Sequence, residues 1–99
     1  MIVEHALLRV RPGESDAFED AFWQARQLIE ASPGFGSIEV RPAIEDPELF
    51  LLLVHWADVE SHRNGFRGSS RYKEWSELLH PFYDPMPEIT YFGASLFDD

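Results

Sequence analysis

Cysteine is absent from the 99 residues, which rules out disulfides, thiolate nucleophiles and thiolate metal ligands. Basic residues are scarce: 8 Lys and Arg stand against 18 Asp and Glu, a formal net charge of −10. Phosphate backbones and anionic membranes are bound through such cations, so neither nucleic acid nor a membrane surface is an expected partner. Long apolar runs are missing too. The longest, Leu49 to Val54, falls far short of the roughly 20 residues that a helix needs to cross a bilayer. No basic segment followed by an apolar stretch opens the chain, and a cytoplasmic protein is the expectation. The sequence also carries no glycine-rich phosphate loop, no nucleophile elbow, no His-Glu-x-x-His metal motif, no internal repeat and no low-complexity segment.

What is present is a core. Hydrophobic residues make up 44% of the chain and aromatics 14%, enough for one folded domain over residues 1–99 and against disorder. Ile2 to Val10 alternates as a strand, with Ile2, Ala6, Leu8 and Val10 on one side and Val3, His5, Leu7 and Arg9 on the other. Pro12-Gly13 breaks it. Ser15 is the expected N-cap of a helix that runs to about Ala31, with Phe18, Ala21, Phe22, Ala25, Leu28 and Ile29 at helical spacing. Ser32-Pro33-Gly34 ends that helix, and Ser37 to Arg41 reads as a half-exposed strand closed by Pro42 at a sheet edge. Phe50 to Trp56 is the strongest strand pattern, apolar on both faces. Asp58 caps a short helix to about Gly65, and a second runs from Ser70 to about Leu79 with Tyr72, Trp75 and Leu79 inward. Pro81, Pro85 and Pro87 force an extended loop before a last strand, Glu88 to Ala94, and a loose or partner-contacting tail, Leu96 to Asp99.

Strand, helix, strand, strand, broken helix, strand is the order of a ferredoxin-like α+β fold, an antiparallel sheet with its helices on one face. Two helices cover one face only. Leaving the other face of these doubly apolar strands in water would cost about 1.5–3 kcal/mol per large side chain, so a homodimer packed sheet on sheet is the inferred partner arrangement.

The span His55 to Tyr83 concentrates two of the three Trp and three of the four His. Large aromatics mixed with titratable groups suit a half-apolar pocket, and equally an ordinary amphipathic core. With the Pro12-Gly13 strand end, Phe18 and Phe22, the Pro33-Gly34-Phe35 turn, the Phe50 to Trp56 strand, His62-x-x-Gly65-Phe66-Arg67 and Tyr72-x-x-Trp75, the chain resembles the antibiotic biosynthesis monooxygenase family over nearly its whole length. The resemblance implies a dimeric α+β barrel. Some members of that family oxidise polyketide phenols or quinols with dioxygen and no cofactor, others degrade haem, and many have no assigned substrate. The haem-degrading branch uses an Asn in the first strand, a Trp and a His ligand. The nearest positions here are Ala6, Gly65 or Phe66, and Trp75 or Ser76, with His80 about one turn beyond, so haem degradation is the lesser expectation.

By resemblance to the cofactor-independent branch, the chain is expected to oxygenate a phenolic, quinol or polyketide-like molecule without metal or other cofactor. His62 and Arg67 are the candidate catalytic pair: an imidazole to accept the proton of a phenol, and a guanidinium to steady the anion. Trp56, Phe66, Tyr72, Trp75 and Tyr83 are candidates to line the substrate cleft. Each has a plainer alternative. His62 could be a core-edge histidine bonded to a carbonyl, Arg67 could pair with a nearby Glu, and the aromatics could simply pack. His5 and His55 fit the dimer interface better than a metal site. Glu4, polar on an apolar strand, either pairs with an Arg across the dimer or is a cleft carboxylate with a raised pKa. The competing function is a non-catalytic dimeric small-molecule-binding or stress-response module of the same fold.

Overall fold

Alternation of side chains along three of the four strands puts one apolar set under the helices, and the sheet is built on that set. The computed structural model describes residues 1–97; Asp98 and Asp99 of the expected tail lie outside them. Strands β1 (Ile2–Arg9), β2 (Phe35–Pro42), β3 (Leu49–Trp56) and β4 (Thr90–Phe92) form one antiparallel sheet in the order β2-β3-β1-β4. Helices α1 (Ser15–Glu30) and α2 (Ser70–Leu79) pack on one face, giving the ferredoxin-like α+β arrangement. Ala6, Leu8, Phe50, Leu52, Val54 and Trp56 point under the helices and are buried against Phe18, Phe22, Ala25 and Ile29 of α1 and Trp75 and Leu79 of α2. Each large member of this core contributes about 1.5–3 kcal/mol through burial.

Several boundaries differ from the sequence expectation, each for a local reason. Ser15 is not the N-cap of α1; Glu14 holds that position without a side-chain cap, and the Ser15 hydroxyl donates instead to the Pro47 carbonyl at 3.1 Å. Strand β2 begins at Phe35, because the bulge between Phe35 and Ser37 lets pairing with β3 resume at once after the turn. Strand β4 spans three residues, not Glu88 to Ala94. Phe92 faces Val3 near the beginning of β1, so the residues after it have no partner strand, and Pro87 has no N–H to give before it. Pro81 begins no extended loop: His80–Phe82 is a single 3-10 turn. Tyr83 is then tied back to the end of β1 by Arg11 N–H donating to the Phe82 carbonyl at 2.8 Å and Asp84 N–H to the Arg9 carbonyl at 3.1 Å.

The region between β3 and α2 is helical from Val59 and widens at Ser61–Phe66 into a turn in which Arg67 N–H donates to the carbonyl of His62, five residues back, at 3.0 Å. Asp58 caps it as expected, its carboxylate accepting from both the amide and the hydroxyl of Ser61 at 2.8 Å. Such wide turns recur at functional sites. This one carries His62 and Phe66 inward and Arg67 to the rim.

The outer sheet face is apolar at its centre. Val3, Leu51, Leu53 and the two histidines His5 and His55 are half-buried, while Leu7 is 50% and Phe92 52% exposed. His5 and His55 do not face one another directly: the register puts Leu53 opposite His5 and Val3 opposite His55, so the two rings lie diagonally.

Candidate active site

A cavity of about 100 Å³ lies between the sheet and the broken helix. Its floor is Glu4, Ala6 and Leu8 of β1 and Leu52 of β3; its walls are Phe22 and Ile29 of α1, His62, Phe66 and Arg67 of the wide turn, and Tyr72, Trp75 and Leu79 of α2. His80, Tyr83, Met86, Pro87 and Ile89 close it from the side of the last loop. Six of the seven residues singled out for this site from sequence thus come together. Trp56 does not line the space: fully buried behind it, the indole Nε1–H donates to Glu4 Oε1 at 2.9 Å.

Glu4 is the polar centre. It alternates onto the inner face with Ala6 and Leu8 and is only 4% exposed. Burial, which strips water from the charged form, pushes its pKa up to about 7, against the lowering effects of the Trp56 hydrogen bond and the Arg67 charge. Of the two placements open for Glu4, the cleft carboxylate is therefore the observed one. Its oxygen Oε1 also lies 3.4 Å from His62 Nε2. That is an ion-pair distance, but burial disfavours charge on both partners, and a neutral imidazole N–H directed at the carboxyl group satisfies the same geometry.

His62 is itself 4% exposed, packed 5.4 Å ring to ring from Trp56. Burial first, then the positive charges of Arg67 and Arg63, bring its pKa down to about 4. Its Nδ1 is 2.6 Å from the Tyr91 hydroxyl. A phenol is the stronger donor of the two at neutral pH, so Tyr91 O–H donates to Nδ1 and the ring proton sits on Nε2, facing Glu4. The Tyr91 hydroxyl is held above its ordinary pKa by burial and then by Glu4. Arg63 stacks over the ring of Tyr91, 5.4 Å from its centroid.

Arg67 is exposed at the cavity rim, its guanidinium 5.9 Å from the centroid of the Tyr72 ring. The alternative of a local Glu partner is not what is observed: no carboxylate lies within ion-pair distance of Arg67 among the described residues. Its charge remains available to an anion in the cavity. Burial, with Arg67 second, lowers the pKa of His80, and burial raises that of Tyr83. Among the described residues no three His, Asp or Glu side chains converge as metal ligands. The placement of Tyr91 beside His62 was not legible beforehand, because it depends on β4 pairing with β1 in the register that sets Tyr91 against Glu4.

A larger hollow of about 280 Å³ lies between α1 and β2, lined by Phe22, Trp23, Ile38, Val40 and Pro42. Its charged groups, Glu19 and Arg26, are exposed, and Trp23 is 71% exposed with Arg26 stacked on it. It brings together no buried titratable side chains; those lie at the smaller space.

No helix among the described residues is long and apolar enough to cross a membrane. The family model for antibiotic biosynthesis monooxygenases matches residues 1–78. The Bacillus subtilis (strain 168) protein YczJ, itself uncharacterized, is 42% identical over 92 residues, covering 93% of this chain and 97% of its own. A crystal structure from Bordetella bronchiseptica, named for the same family, is 30% identical with a TM-score of 0.91, covering 96% of this chain and 97% of that one. SnoaB from Streptomyces nogalater, a cofactor-independent oxygenase, shares the fold with a TM-score of 0.84 at 16% identity, over 97% of this chain and 94% of its own. The chain belongs to the antibiotic biosynthesis monooxygenase family.

Proposed function

We propose that this protein is a cytoplasmic, homodimeric monooxygenase that oxidises a small phenolic or quinol-like ring with dioxygen, using neither metal nor flavin. The observation that carries the reading is a buried carboxyl group and, on the same aromatic-walled cavity, an arginine that pairs with no carboxylate among the described residues. A ring that gives up a proton there becomes an electron-rich anion, and Arg67 stabilises it at the rim. The anion can then pass an electron to dioxygen. In the balanced reaction a ring methylene of the keto tautomer becomes a carbonyl; dioxygen supplies that oxygen, and its other atom leaves as water with the two hydrogens of the methylene. Family membership supports the reading, and SnoaB, on the same fold, is named a cofactor-independent oxygenase.

The volume of about 100 Å³ sets a condition, since sites for small molecules usually start at about 300 Å³. A ring enters when Met86 and Pro87, in a stretch without helix or strand, move outward. The same narrowness favours a second reading, a binding or stress-response module that holds a small ring and performs no chemistry. Dioxygen uptake over a panel of phenols, quinols and anthrones, with chelator present, separates the two. Uptake that falls about 10–100-fold in Arg67→Ala supports the oxygenase. Saturable ring binding with no uptake across the panel supports the module.

A further inference from the structure

We infer that Glu4 is the group that takes the substrate's proton, and that His62, oriented by Tyr91, is a neutral positioning residue. This deepens the oxygenase reading and rests on it. Glu4 is the one carboxylate in the cavity wall among the described residues. Its Oε1 is engaged by Trp56 and His62, while Oε2 makes no hydrogen bond with the described residues and is left for a ligand. His62 has no such free atom. Its Nδ1 meets Tyr91 and its Nε2 faces Glu4, so a substrate proton has no lone pair to go to. Acidity agrees with geometry: a base works best when its pKa lies near the working pH, and Glu4 at about 7 meets that where His62 at about 4 does not.

The step balances. A substrate O–H or C–H bond breaks with its electron pair left on the substrate, and the proton moves to Glu4. When the resulting anion and dioxygen have combined as a peroxide anion, that proton returns to the peroxide oxygen. That return frees the carboxylate, and the hydroperoxide then loses water, breaking its O–O bond and the remaining C–H bond, to leave the carbonyl. Burial, Trp56 and Arg67 set the proton affinity of Glu4, and further polar groups surround it from every side. Trp56 faces it from β3, His62 and Arg67 from the wide turn, Tyr91 from β4 with Arg63 stacked behind, Tyr72 from α2, and His80 and Tyr83 from the 3-10 turn and the residue after it.

Two measurements test this. In dioxygen uptake, kcat of the wild type rises through an inflection near pH 7. Glu4→Gln lowers kcat roughly 100- to 10,000-fold and abolishes the inflection, whereas His62→Gln and Tyr91→Phe lower kcat but keep both the inflection and KM. An inflection that survives Glu4→Gln, or kcat within about threefold of wild type, overturns the assignment. The second readout needs no substrate. The Trp56 indole N–H resonance in isotope-labelled protein should titrate near pH 7 and cease to titrate in Glu4→Gln. That titration without uptake of dioxygen on any substrate contradicts the oxygenase reading and the proton transfer with it, and keeps only the near-neutral carboxyl group of Glu4. A midpoint below about pH 5, the ordinary carboxylate range, overturns the assignment even if uptake is seen.

Discussion

Glu4 points a carboxyl group into the space where its neighbours Ala6 and Leu8 are fully apolar, and the pH dependence of stability should report it. Its folded pKa of about 7 lies above its ordinary value of 4.5, so the folded state holds the proton more tightly than the unfolded one. The penalty for ionising it is absent below pH 4.5, grows as pH rises, and is complete above 7, where it amounts to roughly 3 kcal/mol. Glu4→Gln, which still accepts from Trp56, should therefore be more stable than wild type in urea unfolding at high pH, with the gain shrinking on acidification. His62 acts with the opposite sign: its pKa drops from 6.5 unfolded to about 4 folded, so stability is lost as pH falls through that window. The two slopes offset one another where the windows overlap. Tyr91→Phe, which leaves Nδ1 of a buried imidazole without its donor, should cost about 1–3 kcal/mol in the same assay. One-sided helical spacing turned His62, Phe66, Tyr72 and Trp75 inward, and the family resemblance, rather than composition, offered them as a cleft wall; Tyr83 lies outside any helix, and spacing said nothing of it. Composition and spacing could not choose between the two placements of Glu4, since that depends on which strand lies beside β1.

Gly34 illustrates how an element is held in place. Its φ of +86 suits glycine, and an added Cβ would sit 2.6 Å from Ser61 Cβ, on the wide turn that presents His62. Gly34→Ala should destabilise by more than about 1 kcal/mol and, unlike a remote loop change, should disturb the environment of His62, as seen in its ring resonances. Helix α2 depends on its cap: the Ser69 hydroxyl oxygen accepts from Tyr72 N–H at 3.3 Å, and Ser69→Ala should lower stability by about 1 kcal/mol. The periods of 2 and 3.6 residues made β1, β3, α1 and α2 readable to within a residue or two. The short β4 and the 3-10 turn after α2 were not readable. Both are set by contacts with the end of β1 and by where that strand stops, which local pattern does not encode.

At the scale of the whole molecule, the proposed homodimer would draw on the outer face of the sheet: Leu7, Leu51, Leu53, Val3 and Phe92 form an apolar surface that no element of this chain covers among the described residues. The wild type should sediment at twice the 11.5 kDa chain mass at micromolar concentration, and Leu53→Glu, which puts a charge at the centre of that face, should shift it to the monomer. The doubly apolar strands made this face legible from sequence, because a helix pair covers one side of a sheet only. The most direct test of the proposed activity follows the fate of dioxygen. With isotope-labelled dioxygen, a small phenol or quinol and chelator present, one labelled atom per turnover should appear in the product and the other in water. Turnover that leaves the product unlabelled, or that stops when metal is removed, would contradict a cofactor-independent monooxygenase.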